Sequence, residues 1–250
     1  MYRVGIDVGG TFTDLVAVDD SGKATLAKVP STPSDPSIGV LDGLQSLADA
    51  LDRERAVLLA ETDRIVHGTT VATNALIEHR GAKVGLLTTE GHRDVIEMRE
   101  GLKDDRYNLR LPPPEQLVPR KLRLGVRERM RADGRIETPL DPASLDSAVA
   151  ALERERVEAV AVCYLHSWRD PRHERAAREA VKRALPGAYV ALSSEVLPQI
   201  KEFERVSTTV VNAYVGPALS RYLGELDRLC RAIWESSSGA SPRPDMPGRP

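Results

Sequence analysis

The stretch GIDVGGTFTDLVAVDD, from Gly5 to Asp20, constrains the opening of this chain more than any other segment. Apolar residues alternate on both sides of a Gly-Gly pair, the period-two pattern of two strands joined by a tight turn. In the first strand Tyr2, Val4, Ile6 and Val8 share one face, and Gly5, Asp7 and Gly9 share the other. Asp7 is thereby directed away from the aliphatic face, between two positions that carry no side chain. A second strand is expected over Asp14–Val18. After a turn at Asp19–Lys23 a third is expected over Ala24–Val29, which completes an antiparallel meander.

A Gly-Gly pair alone is explained by the need to turn the chain. Here Asp7 precedes it and Thr11, Thr13 and Asp14 follow. Glycines admit positive φ and let a ligand approach the backbone closely. Turn amides form an anion-binding concavity, and a carboxylate can hold Mg²⁺ through water. The combination favours a phosphate-binding hairpin, with Asp7 as the contact to Mg²⁺ via water. It matches neither the dinucleotide G-x-G-x-x-G pattern nor G-x-x-x-x-G-K-[ST].

The remaining pattern is that of an α/β protein. Aromatic residues are only 4% of the 250, and the apolar mass is mainly Val, Leu, Ala and Ile, which suits α/β layers rather than an aromatic-rich sandwich. A helix is expected over Ile38–Leu51, a strand over Arg64–Thr70, a helix from Val71 stopped by Gly81, and a buried strand over Val84–Thr88. Thr89 is a candidate N-cap for a helix through Glu100. Gly101–Pro119 is proline-rich and irregular. KLRLGVRERM and GRIETPL then flank a hairpin turn at Ala132–Gly134. Helices at Pro142–Arg156 and Pro171–Leu185 alternate with strands at Ala159–Leu165 and Tyr189–Leu192, before a long helix from about Gln199.

The formal net charge of −2 offers no global basic field for nucleic acid. Cys163 and Cys230 are far apart in the chain and the five histidines do not pair at metal spacing, so neither a disulfide framework nor a protein-held zinc is expected. The N-terminus enters a strand directly and no apolar run approaches the length of a membrane span, so a cytoplasmic setting is expected.

Three other stretches carry polar clusters. In HGTTVATNALIEHRGA, Thr69, Thr70, Thr73 and Asn74 gather where a strand becomes a helix. They either line a site for a substrate carbonyl or phosphate or simply cap the helix, and His67 reads as structural. In MREGLKDDRYNL, Arg99, Lys103, Asp104, Asp105 and Arg106 read first as a solvated charged loop. The alternative is a lid that carries Arg99 over a substrate. Glu202, Glu204, Arg205, Ser207 and Thr208 lie on the long helix, with Glu204 and Thr208 on one face. They either line a cleft floor or pack against a sheet.

GIDVGGTFTDLV is similar to the first phosphate-binding hairpin of the actin, Hsp70 and sugar-kinase ATPase fold. Its GGTFTD version resembles most closely the hydantoinase A and 5-oxoprolinase family. HGTTVATNALIEHRGAKVGLLTTEGHRDVIEMRE, LVPRKLRLGVRERMRADG and SSEVLPQIKEFERVSTTVVNAYVGP extend the resemblance to about Asp227. The resemblance implies a ribonuclease-H-like first lobe with an antiparallel meander and a second small α/β region. It also implies ATP and Mg²⁺ as cofactors, with ATP phosphorylating an amide or carbonyl oxygen of a cyclic amide such as 5-oxoproline or a hydantoin. Related members carboxylate ketones. Asp7 and Asp14 become the candidate catalytic residues, and Gly9, Gly10, Thr11 and Thr13 the cofactor contacts. Thr69, Thr70, Asn74 and Arg99 become substrate candidates.

The expected division is an ATPase-fold region at 1–185, a strand and long helix at 186–234, and a disordered tail at 235–250. No second D-x-G-G-T stretch occurs, so the chain reads as one lobe, incomplete as a stand-alone enzyme. A separate subunit or C-terminal lobe, in a homo- or hetero-oligomer, would complete it. The alternatives are a ketone carboxylase subunit and a catalytically silent assembly module.

Overall fold

A computed structural model describes residues 1–32, 35–101, 105, 107–108, 110–112 and 115–238; for 229, 230 and 232–238 it describes the backbone alone. The fold is mixed α/β. Packing groups the described residues into two compact units, Met1–Ile77 with Ala218–Ser238, and Glu78–Pro217.

In the first unit the meander forms β1 (Tyr2–Val8), β2 (Phe12–Asp19) and β3 (Ala24–Pro30). The chain then crosses the sheet as α1 (Pro36–Ala50) and α2 (Arg55–Ala60), and returns as β4 (Thr62–Thr69) alongside β1. The sheet order is β3-β2-β1-β4, with β4 parallel to β1 and the other pairings antiparallel. Helix α1 begins where Asp35 accepts the Ser37 N–H and Pro36 occupies the first turn. Its Val40, Leu44, Leu47 and Ala48 pack on Val4, Ile6, Val8, Leu15 and Ala17. Each fully buried leucine there contributes about 1.5–3 kcal/mol. The short helix α2, which the sequence pattern did not reveal, adds Leu58 and Leu59 to this core.

One face of the sheet is thus filled, while Leu26 and Val66 on the other face remain 73% and 62% exposed. The helix expected to run to Gly81 ends earlier, as α3 (Val71–Ile77). His79, at φ +54°, follows it.

The second unit carries β5 (Val84–Thr89) followed by the single turn α4 (Val95–Met98). After a 3-10 turn at Arg120–Leu122 come β6 (Arg123–Val126), β7 (Arg129–Met130) and β8 (Ile136–Thr138). Then follow α5 (Pro142–Arg154), β9 (Ala159–Cys163), α6 (Arg172–Ala184), β10 (Tyr189–Leu192), α7 (Ser193–Val196) and α8 (Glu202–Ser238). The parallel order β10-β9-β5-β6 explains why β5 and β9 are buried along their whole length, on both faces.

Two local expectations are corrected. KLRLGVRERM is not one hairpin arm, because Arg123–Val126 pairs in parallel with β5 and only Arg129–Met130 turns back onto β8. Thr89 caps no helix: it is the last residue of β5, and its hydroxyl hydrogen-bonds the buried Glu128 carboxylate and accepts the Leu165 N–H. Helix α8 continues from the second unit into the first at Ala218 and runs through Ser238, while 239–250 lie outside the described residues.

Candidate functional site

The open face of the first sheet is organised by register. Lys28, Asp14, Asp7 and Gly68 stand opposite one another across β3, β2, β1 and β4, forming one row over the whole sheet. The next row toward the far strand ends is Leu26, Val16, Gly5 and Val66. Together they line a concavity of about 590 Å³. Asp7 lies on this face, as the alternation predicted, and is exposed. A Cβ added at Gly68 would come within 3.5 Å of Asp7 Oδ1, so the glycine keeps the carboxylate accessible from the β4 side. Like charges directly opposite on neighbouring strands repel. Lys28 Nζ relieves this by donating to Asp14 at 2.7 and 3.0 Å. Among the described residues Asp7 makes no hydrogen bond or ion pair.

The turn that joins β1 to β2, two residues beyond Asp7, is braced from behind. The Gly9 N–H donates to Phe12 O at 3.0 Å, the Ser31 N–H donates to Thr11 O at 2.9 Å, and Ser31 Oγ donates to Gly9 O at 2.8 Å. Neither Gly9 nor Gly10 adopts positive φ. Space is what they supply: a Cβ would stand 3.0 Å from Phe12 O at Gly9 and 3.1 Å from Asn74 Nδ2 at Gly10. Thr11 is exposed. Thr13 departs from its expected place among the phosphate contacts. It is fully buried on the α1 face, 3.0 Å from Ser31 Oγ, and so supports the turn from beneath. Strand parity is the reason, since Phe12 and Asp14 take the open face.

The parallel docking of β4 brings the second threonine cluster to the same turn. The Thr70 N–H donates to Val8 O at 3.1 Å, and Asn74 Nδ2 donates to Thr70 Oγ1 at 3.2 Å. Thr69 Oγ1 accepts the Val71 N–H at 3.2 Å, a capping contact. Arg99 belongs to the second unit, where it ends α4 with φ +56°. Lys103, Asp104 and Arg106 lie outside the described residues.

His67 faces away from the row, and Tyr222 of α8, unforeseen in the sequence, hydrogen-bonds its Nε2 at 2.7 Å. Burial lowers the pKa of His67 below its ordinary 6.5. The unfolded chain therefore takes up this proton first, and the stability contributed by neutral His67 is lost as pH falls below about 6.5. Urea midpoints at pH 7.5 and 5.5 should differ less in His67→Gln than in the wild type.

In the second unit the sequence reading missed a buried polar cluster at the carboxyl ends of the parallel strands. Glu128 joins the Thr89 hydroxyl to His173 Nδ1, the latter at 2.8 Å. Glu174 accepts the Tyr164 N–H, the Ser193 hydroxyl and the Ser194 N–H. Arg205, 1% exposed, donates to the Ser167 and Ser193 hydroxyls. Of the α8 residues singled out earlier, Arg205 is thus a packing residue, and Glu204 pairs with Lys201 at 3.2 Å. Charged residues dispersed over Glu128, Glu174 and Arg205 leave no local signal that they meet. Burial pushes the Cys163 thiol up to about 12. Its modification by a thiol reagent, mapped by mass spectrometry, should be undetectable in the native protein and appear in urea.

Among the described residues no group of three or more His, Cys, Asp or Glu is placed to hold a metal ion. None of their helices is long and apolar enough to cross a membrane.

Comparison with known proteins places these features in a family. The hydantoinase/oxoprolinase N-terminal region model matches residues 3–185, and the chain belongs to that family. It is 44% identical to caprolactamase subunit alpha of Pseudomonas jessenii, over 96% of this chain and 36% of the relative. The crystal structure of the ATP-dependent caprolactamase from Pseudomonas jessenii superposes with a TM-score of 0.84 at 46% identity, over 93% of this chain and 34% of that one. The gamma subunit of acetophenone carboxylase from Aromatoleum aromaticum is 36% identical, over 88% of this chain and 32% of the relative. The chain thus spans about a third of the length of these relatives.

Proposed function

We propose that this chain supplies the nucleotide-binding lobe of an ATP-dependent enzyme that opens cyclic amides of the 5-oxoproline, hydantoin or lactam type. The observation that carries this reading is Asp7, which has no hydrogen bond or ion pair among the described residues and stands on an open sheet face, one strand from Asp14 and close to the Gly9–Gly10 turn. The order β3-β2-β1-β4, with an antiparallel meander and a parallel fourth strand, supports a ribonuclease-H-like lobe of the ATPase type. The higher identity to a caprolactamase than to a ketone carboxylase supports the amide over the ketone substrate.

ATP would supply a phosphoryl group that activates the amide oxygen toward water. The residues present fit such a ligand. The exposed turn at Gly9, Gly10 and Thr11 offers backbone to phosphate oxygens, with Thr70 and Asn74 beside it. Asp7 and Asp14 offer two carboxylates to waters of a bound Mg²⁺. That ion keeps several waters and takes its other ligands from phosphate, so no three-residue cage is required. Thr13 and Ser31 hold the turn in place. Phosphoryl transfer depends on positioning and charge stabilisation from both sides of a cleft. The chain therefore needs a further lobe or subunit for turnover.

Calorimetric titration with Mg·ATP tests the reading. Binding to the 250-residue chain is expected to be weak, and Asp7→Ala should reduce it by about tenfold or more, the loss of one charged hydrogen-bond acceptor for the metal's waters. Equal binding by wild type and Asp7→Ala would overturn it. A panel of 5-oxoproline, hydantoin and caprolactam with Mg·ATP should give little or no hydrolysis with the chain alone. Full turnover by the chain alone would refute the need for a second lobe.

A further inference from the structure

Building on the nucleotide reading, we infer that Lys28 is a phosphate-binding residue of this site, held by Asp14 until a polyphosphate arrives. The residues lining the concavity include two carboxylates, Asp7 and Asp14, and one cation, Lys28. Two negative charges and one positive leave that wall at net −1, which repels a polyphosphate. A bound Mg²⁺ would offset the carboxylates, and Lys28 is the cation of this lining that can turn to a phosphate oxygen.

Its ammonium lies 2.7 Å from Asp14 Oδ1 and 4.8 Å from the centre of the Phe12 ring. Phe12 shares the open face with Asp14 and stands two residues closer to the Gly9–Thr11 turn. The Lys28 ammonium is thus shared by the Asp14 carboxylate and the face of the Phe12 ring.

The Lys28–Asp14 pair is built to exchange. Its side chains are 55% and 54% exposed, so the attraction is screened by water and easily surrendered. A lysine ammonium is a compact charge with three donors on a flexible stem, and it can swing from a carboxylate to a phosphate oxygen. The swing also frees Asp14 for the water shell of the metal. Two functions thus share one contact: in the empty site it offsets the Asp7–Asp14 repulsion, and in the filled site it delivers one charge to the phosphates and uncovers another.

The test titrates the full chain with Mg·ATP, Mg·tripolyphosphate and adenosine, for wild type, Lys28→Gln and Lys28→Arg. Circular dichroism confirms that each variant folds. Loss of one charge-assisted hydrogen bond predicts that Lys28→Gln weakens Mg·ATP and Mg·tripolyphosphate by about tenfold or more, with adenosine unchanged. Lys28→Arg should restore most of the loss.

Wild-type affinity for both polyphosphates in Lys28→Gln would overturn the inference and leave the nucleotide reading standing. An equal loss for adenosine and Mg·ATP would also overturn it, because Lys28 would then act by packing on Phe12. Absence of Mg·ATP binding by the wild type at millimolar concentration would remove the nucleotide reading, and this inference with it.

Discussion

Glu174→Ala should destabilise the second unit by about 3–5 kcal/mol, the range for removing one partner from a buried charged network. Glu174 is fully buried, and its two oxygens accept the Tyr164 N–H at 3.0 Å, Ser193 Oγ at 2.5 Å and the Ser194 N–H at 2.9 Å. Ser193 is in turn a partner of Arg205 at 3.1 Å. Alanine therefore strands two backbone donors and leaves the buried guanidinium without its bridged counter-charge. Glu174→Gln keeps the shape and one acceptor but sets an amide NH₂ against a donor, so a loss of about 1–3 kcal/mol is expected. Urea unfolding followed by circular dichroism measures both. Midpoints within error of the wild type would mean that the network does not tie α6 and α7 to β9.

The second large effect concerns the sheet that carries the candidate site. A Cβ at Gly43 would lie 2.1 Å from Leu15 Cδ1, so α1 rests on β2 with no room for a side chain. Leu15 is 2% exposed, so any shift it makes has to be taken up inside the core. Gly43→Val should cost about 3 kcal/mol as overpacking, despite valine's better helix propensity. Leu15→Ala removes the obstructing methyls and should by itself cost about 2–5 kcal/mol as a cavity. The double variant should then be clearly more stable than the sum of the two losses, and a denaturation cycle gives this coupling. Additive losses would show that Gly43 does not owe its place to Leu15.

Much of the first unit is legible in the sequence. Alternation in YRVGIDV correctly divided the aliphatic side from the side that bears Asp7, because the side-chain period of a strand is two whatever surrounds it. The failures were equally physical. Thr11 and Thr13 stand at alternate positions, yet only Thr13 belongs to β2, where it takes the buried face, while Thr11 stays in the exposed turn. Helix α2 has only six residues, too few for a helical period to emerge. Thr89 has the chemistry of an N-cap, but a buried carboxylate 39 residues away claims its hydroxyl. The run from Lys121 to Met130 looks like one strand, although its two halves pair with different partners.

The local pattern of this chain is sufficient for the meander, for the face on which Asp7 stands and for the family resemblance. All of these depend on residues a few positions apart. Tertiary structure decided what meets Asp7. The β2–β3 register sets Lys28 beside Asp14, and the parallel pairing of β4 with β1 brings Gly68, Thr70 and Asn74 in from more than 60 positions away. It also decided that Glu174, Ser193 and Arg205 converge inside the second unit. Register between distant strands and the meeting of dispersed charges follow from how whole faces pack, and no local periodicity encodes them.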